Sequence, residues 1–257
     1  FLFFLLENFP VENVDKYLPL DSLQGTADFS GTLSGDFFNP QLTGTFSVRN
    51  GSYRELNFET LEGTCSLNHP LENMQGSVEI SLSGVELQGQ RFNSLALSTT
   101  IAERDTVWFS PLLLVKDSLA FLRASGSLNS NSELGESRIV VDSLELSYRG
   151  ERAVTLDKVE MNYHSDTLSI SGIELAVLGG WLSGDMTHVN GGWLDSEFKF
   201  QDIDLSRMPE IFRHDLKMGG ILKGTLTLRG NPNNLGGMLE ARVDSAILAI
   251  LTVRKLQ

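Results

Sequence analysis

Four histidines (His69, His164, His188, His214) and one cysteine (Cys65) are the side chains of this 257-residue sequence best suited to metal binding or nucleophilic chemistry. Their spacing argues against both. No His-x-x-His or His-Glu-x-x-His pair occurs, so no short element brings two imidazoles to one metal. Cys65 occupies an apolar slot in Gly63-Thr64-Cys65-Ser66-Leu67 and reads as a small buried hydrophobe. A single cysteine forms no internal disulfide, which leaves the redox compartment open. Gly31-Thr32-Leu33-Ser34-Gly35 has the outline of a nucleophile elbow, but its serine is one residue out of register and lies in a strand pattern. Gly219 to Thr225 has the outline of a phosphate loop with the Gly-Lys-Ser/Thr order broken. Asp202-Ile203-Asp204 places two carboxylates at an expected helix start, where they complement the dipole. Asn50-Gly51-Ser52 reads as a tight turn. We expect no catalytic residue, no metal ligand, no cofactor and no enzyme.

The elements that carry these residues are strands. In Gly25 to Val48, apolar residues (Ala27, Phe29, Leu33, Phe46, Val48) alternate with polar ones, and Asn39-Pro40 separates two strand-like halves. A period of two puts all the apolar side chains on one face. The arrangement returns in Gly224 to Val243: Gly25-Thr26, Phe29, Gly31 and Asn39-Pro40 match Gly224-Thr225, Leu228, Gly230 and Asn231-Pro232 if Thr32 to Phe38 is an insertion. Such a repeat predicts an extended array of sheet, with a first module over 1–200 and the start of the next over 201–257 in one continuous sheet.

Strand signals run almost without a break. Ser77 to Ser83 alternates cleanly, and Leu144-Leu146-Tyr148, Val159-Met161-Tyr163, Leu168-Ile170 and Ile173-Leu175-Val177 follow. Trp108-Phe109 and Leu112 to Val115 form a denser run, expected to be covered on both faces at a sheet edge. Asn129 to Gly135 is expected to loop out, and Gly179-Gly180 and Gly191-Gly192 to reverse the chain. One helix is expected over Leu205 to Lys217, N-capped by Ser206, with Met208, Ile211, Phe212 and Leu216 as its apolar stripe. Some fifteen strands of roughly 8 to 10 residues, at about 4.8 Å spacing, make a mostly antiparallel sheet about 70 Å across. So wide a sheet must twist and curl. Curling toward the apolar face gives an open U-shaped trough, greasy inside and acidic outside.

The net charge of −13 and pI near 4.7 disfavour nucleic acid and electrostatic adhesion to anionic membranes. Phe1 to Leu6 is too short to span a bilayer and reads as a strand already under way. The sequence is therefore expected to be a piece of a longer protein, with any membrane anchor outside it.

The pattern carried by Gly25-Thr26-Phe29-Gly31 and Asn39-Pro40-Leu42-Gly44-Phe46-Val48, repeated from Gly224 and preceded by Phe200 to Leu205, resembles the AsmA-like and TamB (translocation and assembly module) proteins. The sharp part of the resemblance is confined to these two modules; from Asn68 to Gly191 only the alternation matches. It implies a long β-sheet crossing the periplasm of a Gram-negative bacterium and anchored in the inner membrane. It also implies movement of phospholipid toward the outer membrane, and assembly work with an outer-membrane barrel partner. An apolar trough would shield acyl chains at about 0.8 kcal/mol for each buried CH₂. The residues expected to contact lipid are Phe29, Phe46, Val78, Ile80, Leu82, Leu144, Leu146, Ile170, Leu226 and Leu228. The same pattern also fits a dry sandwich in which these positions pack on one another. Competing functions are a scaffold whose sheet edge captures outer-membrane strands, and an adhesive β-solenoid, for which a repeat of about 20 to 30 residues is required and not found.

Overall fold

The computed structural model describes residues 1–16, 23–36, 39–69, 74–87, 89–103, 106–117, 120–131, 135–190, 192–208, 217–231 and 234–249. There the alternation resolves into sixteen strands, each antiparallel to its neighbours, and the all-β antiparallel class holds. They fall in two compact units, residues 1–129 and 130–257.

Unit 1 holds β1 (Leu2–Pro10), β2 (Leu23–Gly35), β3 (Pro40–Tyr53), β4 (Leu56–Asn68), β5 (Gln75–Leu87), β6 (Gln90–Glu103), β7 (Thr106–Asp117) and most of β8 (Ala120–Asn131). Strand order follows chain order, because most connections are hairpins too short for a crossover. Unit 2 holds β9 (Glu136–Tyr148), β10 (Glu151–Thr155), β11 (Val159–His164), β12 (Thr167–Val177), β13 (Gly180–Val189), β14 (Trp193–Asp204), β15 (Lys217–Asn231) and β16 (Asn234–Ala249). β10 and β11 pair with successive parts of β9 and of β12, as one strand interrupted at Leu156 to Lys158.

Many strands run to 12–16 residues, longer than expected, because they pass through residues that resemble turns. Asn50 is such a case: its φ of 50° makes an irregularity inside β3, and the reversal comes at Arg54-Glu55, where Tyr53 pairs with Leu56. In unit 1 the left-handed residues Asn8, Gly25, Asn50 and Gly84 lie toward one side of the sheet, near the ends of β1, β3 and β5 and the start of β2. Asp202, Gly220 and Ser245 repeat this in unit 2, and Gly172 sits mid-strand in β12. Each breaks the pleat and bends its strand.

Three further expectations change. The dense run Trp108 to Val115 belongs to β7, an interior strand between β6 and β8. Its alternation breaks at Ser110-Pro111, so Phe109 and Leu112 both join the apolar face, as partners of Thr99 and Leu97. β8 continues to Asn131 and β9 begins at Glu136, which shortens the expected loop. Of the expected helix, Leu205–Arg207 is a single 3-10 turn, Lys217 opens β15, and 209–216 lie outside the described residues. That turn is capped by Asp204 rather than Ser206, because the Asp204 carboxylate accepts from the Ser206 backbone N–H at 2.9 Å.

Candidate functional site

Directly opposed residues of antiparallel strands share a face, so the pairing register reads out what each face carries. In unit 1 one row runs Leu6, Phe29, Phe46, Gly63, Ile80, Leu97 and Leu112. The next runs Ala27, Val48, Leu61, Leu82, Leu95 and Leu114. On the other side of the first row lie Gly31, Gly44, Cys65, Val78 and Thr99. The opposite face carries Ser30, Thr45, Thr64, Glu79 and Ser98. Phe29, Phe46, Val78, Ile80 and Leu82 therefore share one apolar face, as the alternation required.

Their environments differ. Leu82, 5% exposed, is packed with Phe58 and Val85 in a dry cluster, and Val48, Leu56, Leu61, Ile80, Phe92 and Leu95 press against it. Phe58 and Val85, residues beyond the irregularities at Asn50 and Gly84, thus pack with Leu82. Phe29, Phe46, Val78 and Ile80 remain half-buried. The Phe29 ring lies against Gly31 and Gly44, and the Phe46 ring against Gly63, where added Cβ atoms would collide with them. Sequence reasoning missed these glycines as ring seats. The available signal was glycine in a strand interior, which marks close approach. Cys65 is half-buried on this face, and burial pushes its thiol pKa up, with a backbone hydrogen bond at Gly44 opposing the shift.

In unit 2 one row runs Ile139, Met161, Ile170, Met186, Ser196 and Leu228, and another joins Phe198, Leu226 and Leu239. Leu146 pairs with Ala153, which pairs with Val177; the Leu144 N–H donates to Thr155 Oγ1. Leu144, Ile170, Leu226 and Leu228 are half-buried, whereas Leu146 is 47% exposed. Ser196, missed in the sequence, puts a buried hydroxyl without a partner into the apolar row.

Among the described residues only nine hydrophobic side chains are buried, and the helical residues are two short 3-10 turns, so neither unit has a helical layer of its own over its apolar face. A groove of about 920 Å³ crosses β1–β7 of unit 1. Leu5, Ser30, Thr45, Thr64, Ser81 and Pro111 line it, which by register assigns it to the hydroxyl-rich face. No group of three or more metal-ligating side chains occurs among the described residues. No protein family, curated protein or solved structure matches the chain. What the geometry offers chemically is an apolar surface several strands wide, with polar strand ends.

Proposed function

We propose that the protein is a periplasmic bridge-like lipid transport module, carrying phospholipid acyl chains along the apolar sheet face between inner and outer membranes. One observation carries this: rows of mostly large apolar side chains cross up to seven adjacent strands, and among the described residues no helical layer within either unit packs over them. Such a surface is costly in water, at about 25 cal/mol per Å², and acyl chains relieve that cost without any catalytic group. The resemblance to AsmA-like and TamB proteins supports the periplasmic setting and anchoring to the inner membrane. No helix among the described residues is long and apolar enough to cross a membrane. Phe29, Phe46, Val78, Ile80, Leu144, Leu146, Ile170, Leu226 and Leu228 are the proposed lipid contacts; Leu82 supports them from the dry cluster.

A second function, strand capture in outer-membrane protein assembly with a barrel partner, is favoured by β16. Among the described residues it pairs only with β15, and it leaves Leu235, Met238 and Leu239 48–64% exposed. Mass spectrometry of an organic extract from detergent-free protein separates the two. Phospholipid at reproducible stoichiometry supports carriage, and its loss in a folded Leu146→Asp variant assigns the lipid to this face. A lipid-free extract from folded protein sinks carriage and leaves strand capture.

A further inference from the structure

Two polar side chains interrupt the apolar face of unit 2, and the register puts them side by side. One row runs Tyr163, Leu168, His188 and Leu194; the row beside it runs Met161, Ile170, Met186, Ser196 and Leu228. His188 is thus flanked by Leu168 on β12 and Leu194 on β14, with Met186 two residues back on its own strand. It is half-buried and makes no hydrogen bond or ion pair among the described residues. Ser196 pairs with Met186, so it lies diagonally across from His188, at about 7–8 Å between Cα atoms. Its hydroxyl is buried, at 3% exposure, and has no partner, an exception that calls for an acceptor or donor. The charged groups nearby are engaged or face away. Asp166, on the β11–β12 turn, accepts from the Tyr163 hydroxyl and the Asn190 side chain, both at 3.3 Å. The Glu136–His164, Arg138–Glu160 and Asp195–Arg229 pairs alternate with these rows and belong to the opposite face.

We propose that His188 and Ser196 form a headgroup site: the protonated imidazole and the hydroxyl take the phosphate of a glycerophospholipid whose acyl chains lie on the flanking apolar rows. This rests on the lipid-carrying function above. Leu168, Ile170, Leu194 and Leu228 are half-buried and stand apart from the dry cluster of unit 1, so apolar surface for the chains adjoins the two donors. Met186, between them in register, has three rotatable bonds and can swing aside, which gives the Ser196 hydroxyl the acceptor it lacks in the empty face. An imidazolium without a counter-ion is costly among apolar side chains, whereas a charge-assisted hydrogen bond is strengthened there. Proton and phosphate therefore bind together. Histidine gains its charge between pH 5 and 8, so the grip loosens as pH rises through that range. In a chain of net charge −13, such a cation is a local attractor for an anion that the rest of the surface repels.

The test compares dioleoylphosphatidylglycerol with dioleoylglycerol, which has the same chains and no phosphate, on the full chain at about pH 5.5 and about pH 8, near the ends of the histidine range. Glycerol 3-phosphate serves as a free-anion control. At the lower pH the wild type should hold the phospholipid about tenfold more tightly than the diacylglycerol, the scale of one charge-assisted contact with a second hydrogen bond. At the higher pH most of that preference should be gone. His188→Gln should remove it at both, and Ser196→Ala should cut it about threefold at the lower pH, the scale of one neutral hydrogen bond. An undiminished preference in either folded variant, or a wild-type preference equal at both pH values, overturns the headgroup site and leaves lipid carriage standing. So does glycerol 3-phosphate binding as tightly as the phospholipid. Failure of the wild type to bind either lipid overturns both.

Discussion

β1–β3 and β14–β16 are built alike and strapped differently. Each begins with a strand bent at a left-handed residue (Asn8 or Asp202), passes through a 3-10 turn, and bends again at a glycine (Gly25 or Gly220). Each then reaches a left-handed glycine just before the hairpin, Gly35 or Gly230. This equivalence replaces the pairing of Gly25 with Gly224 read from the sequence, and it removes the need for an insertion within the first strand. The polar contacts at equivalent positions have opposite signs. In the first module Asp28 accepts from the Asn8 N–H and the Arg49 guanidinium, both at 2.8 Å. In the second Lys223 holds Asp202 at 2.9 Å, with Arg242 bonded to Asp244 nearby in sequence. What the repeat preserves is the backbone bend, and the surface charges that dress it are interchangeable, as expected of exposed ion pairs worth little each.

The largest effect should come from charging the apolar face where it is dry. Leu82→Asp buries an unpaired carboxylate in the Phe58–Val85 cluster and should cost about 3–5 kcal/mol in urea unfolding. Leu146→Asp, on the exposed stretch in unit 2, should cost under about 1 kcal/mol, which makes it the cleaner probe of lipid. Equal losses would contradict the contrast between Leu82 and Leu146. Next come Gly35→Ala and Gly230→Ala. Their Cβ atoms would collide with the Asn39 and Asn234 carbonyls, and each should cost about 1–2 kcal/mol. A loss in one hairpin alone would break the equivalence.

Smaller still, Ser196→Ala should be neutral or stabilising by up to about 1 kcal/mol, because the hydroxyl it removes has no partner. The weakest effect is electrostatic. The hydrogen bond from Lys223 holds the Asp202 carboxyl below its usual 3.8, so its stabilisation is present above that pH and lost as pH falls through the lower folded value. Asp202 raises the pKa of Lys223 above 10.5; that contribution is present below 10.5 and fades as pH rises past the folded value. Asp202→Asn should flatten both ends of the Tm–pH curve slightly, and a large change at neutral pH would contradict a surface strap.

The strands were legible because alternation is a local code: Ser77 to Ser83 could be placed on a face by inspection, and the register agrees. The bends were not. Asn50 and Asp202 are residue types that also start turns and cap helices, and only the neighbouring strand decides that the ladder continues past them. The Ser110-Pro111 irregularity disguised an interior strand as a two-sided one for the same reason. Ten apolar positions could be assigned to faces, but their burial depends on which side chains beyond the bends pack against them. Leu82 and Leu146 therefore looked alike in sequence and are 5% and 47% exposed.

The single cysteine gives the most direct test of the central claim. Cys65 lies on the apolar face, between Gly44 and Val78 in its row. We would measure the rate of its alkylation by a maleimide, in folded protein, before and after loading with phospholipid whose binding is quantified by mass spectrometry. Acyl chains on this face should slow the reaction in proportion to occupancy. An unchanged rate at full lipid occupancy would show that the lipid lies elsewhere and would contradict the account.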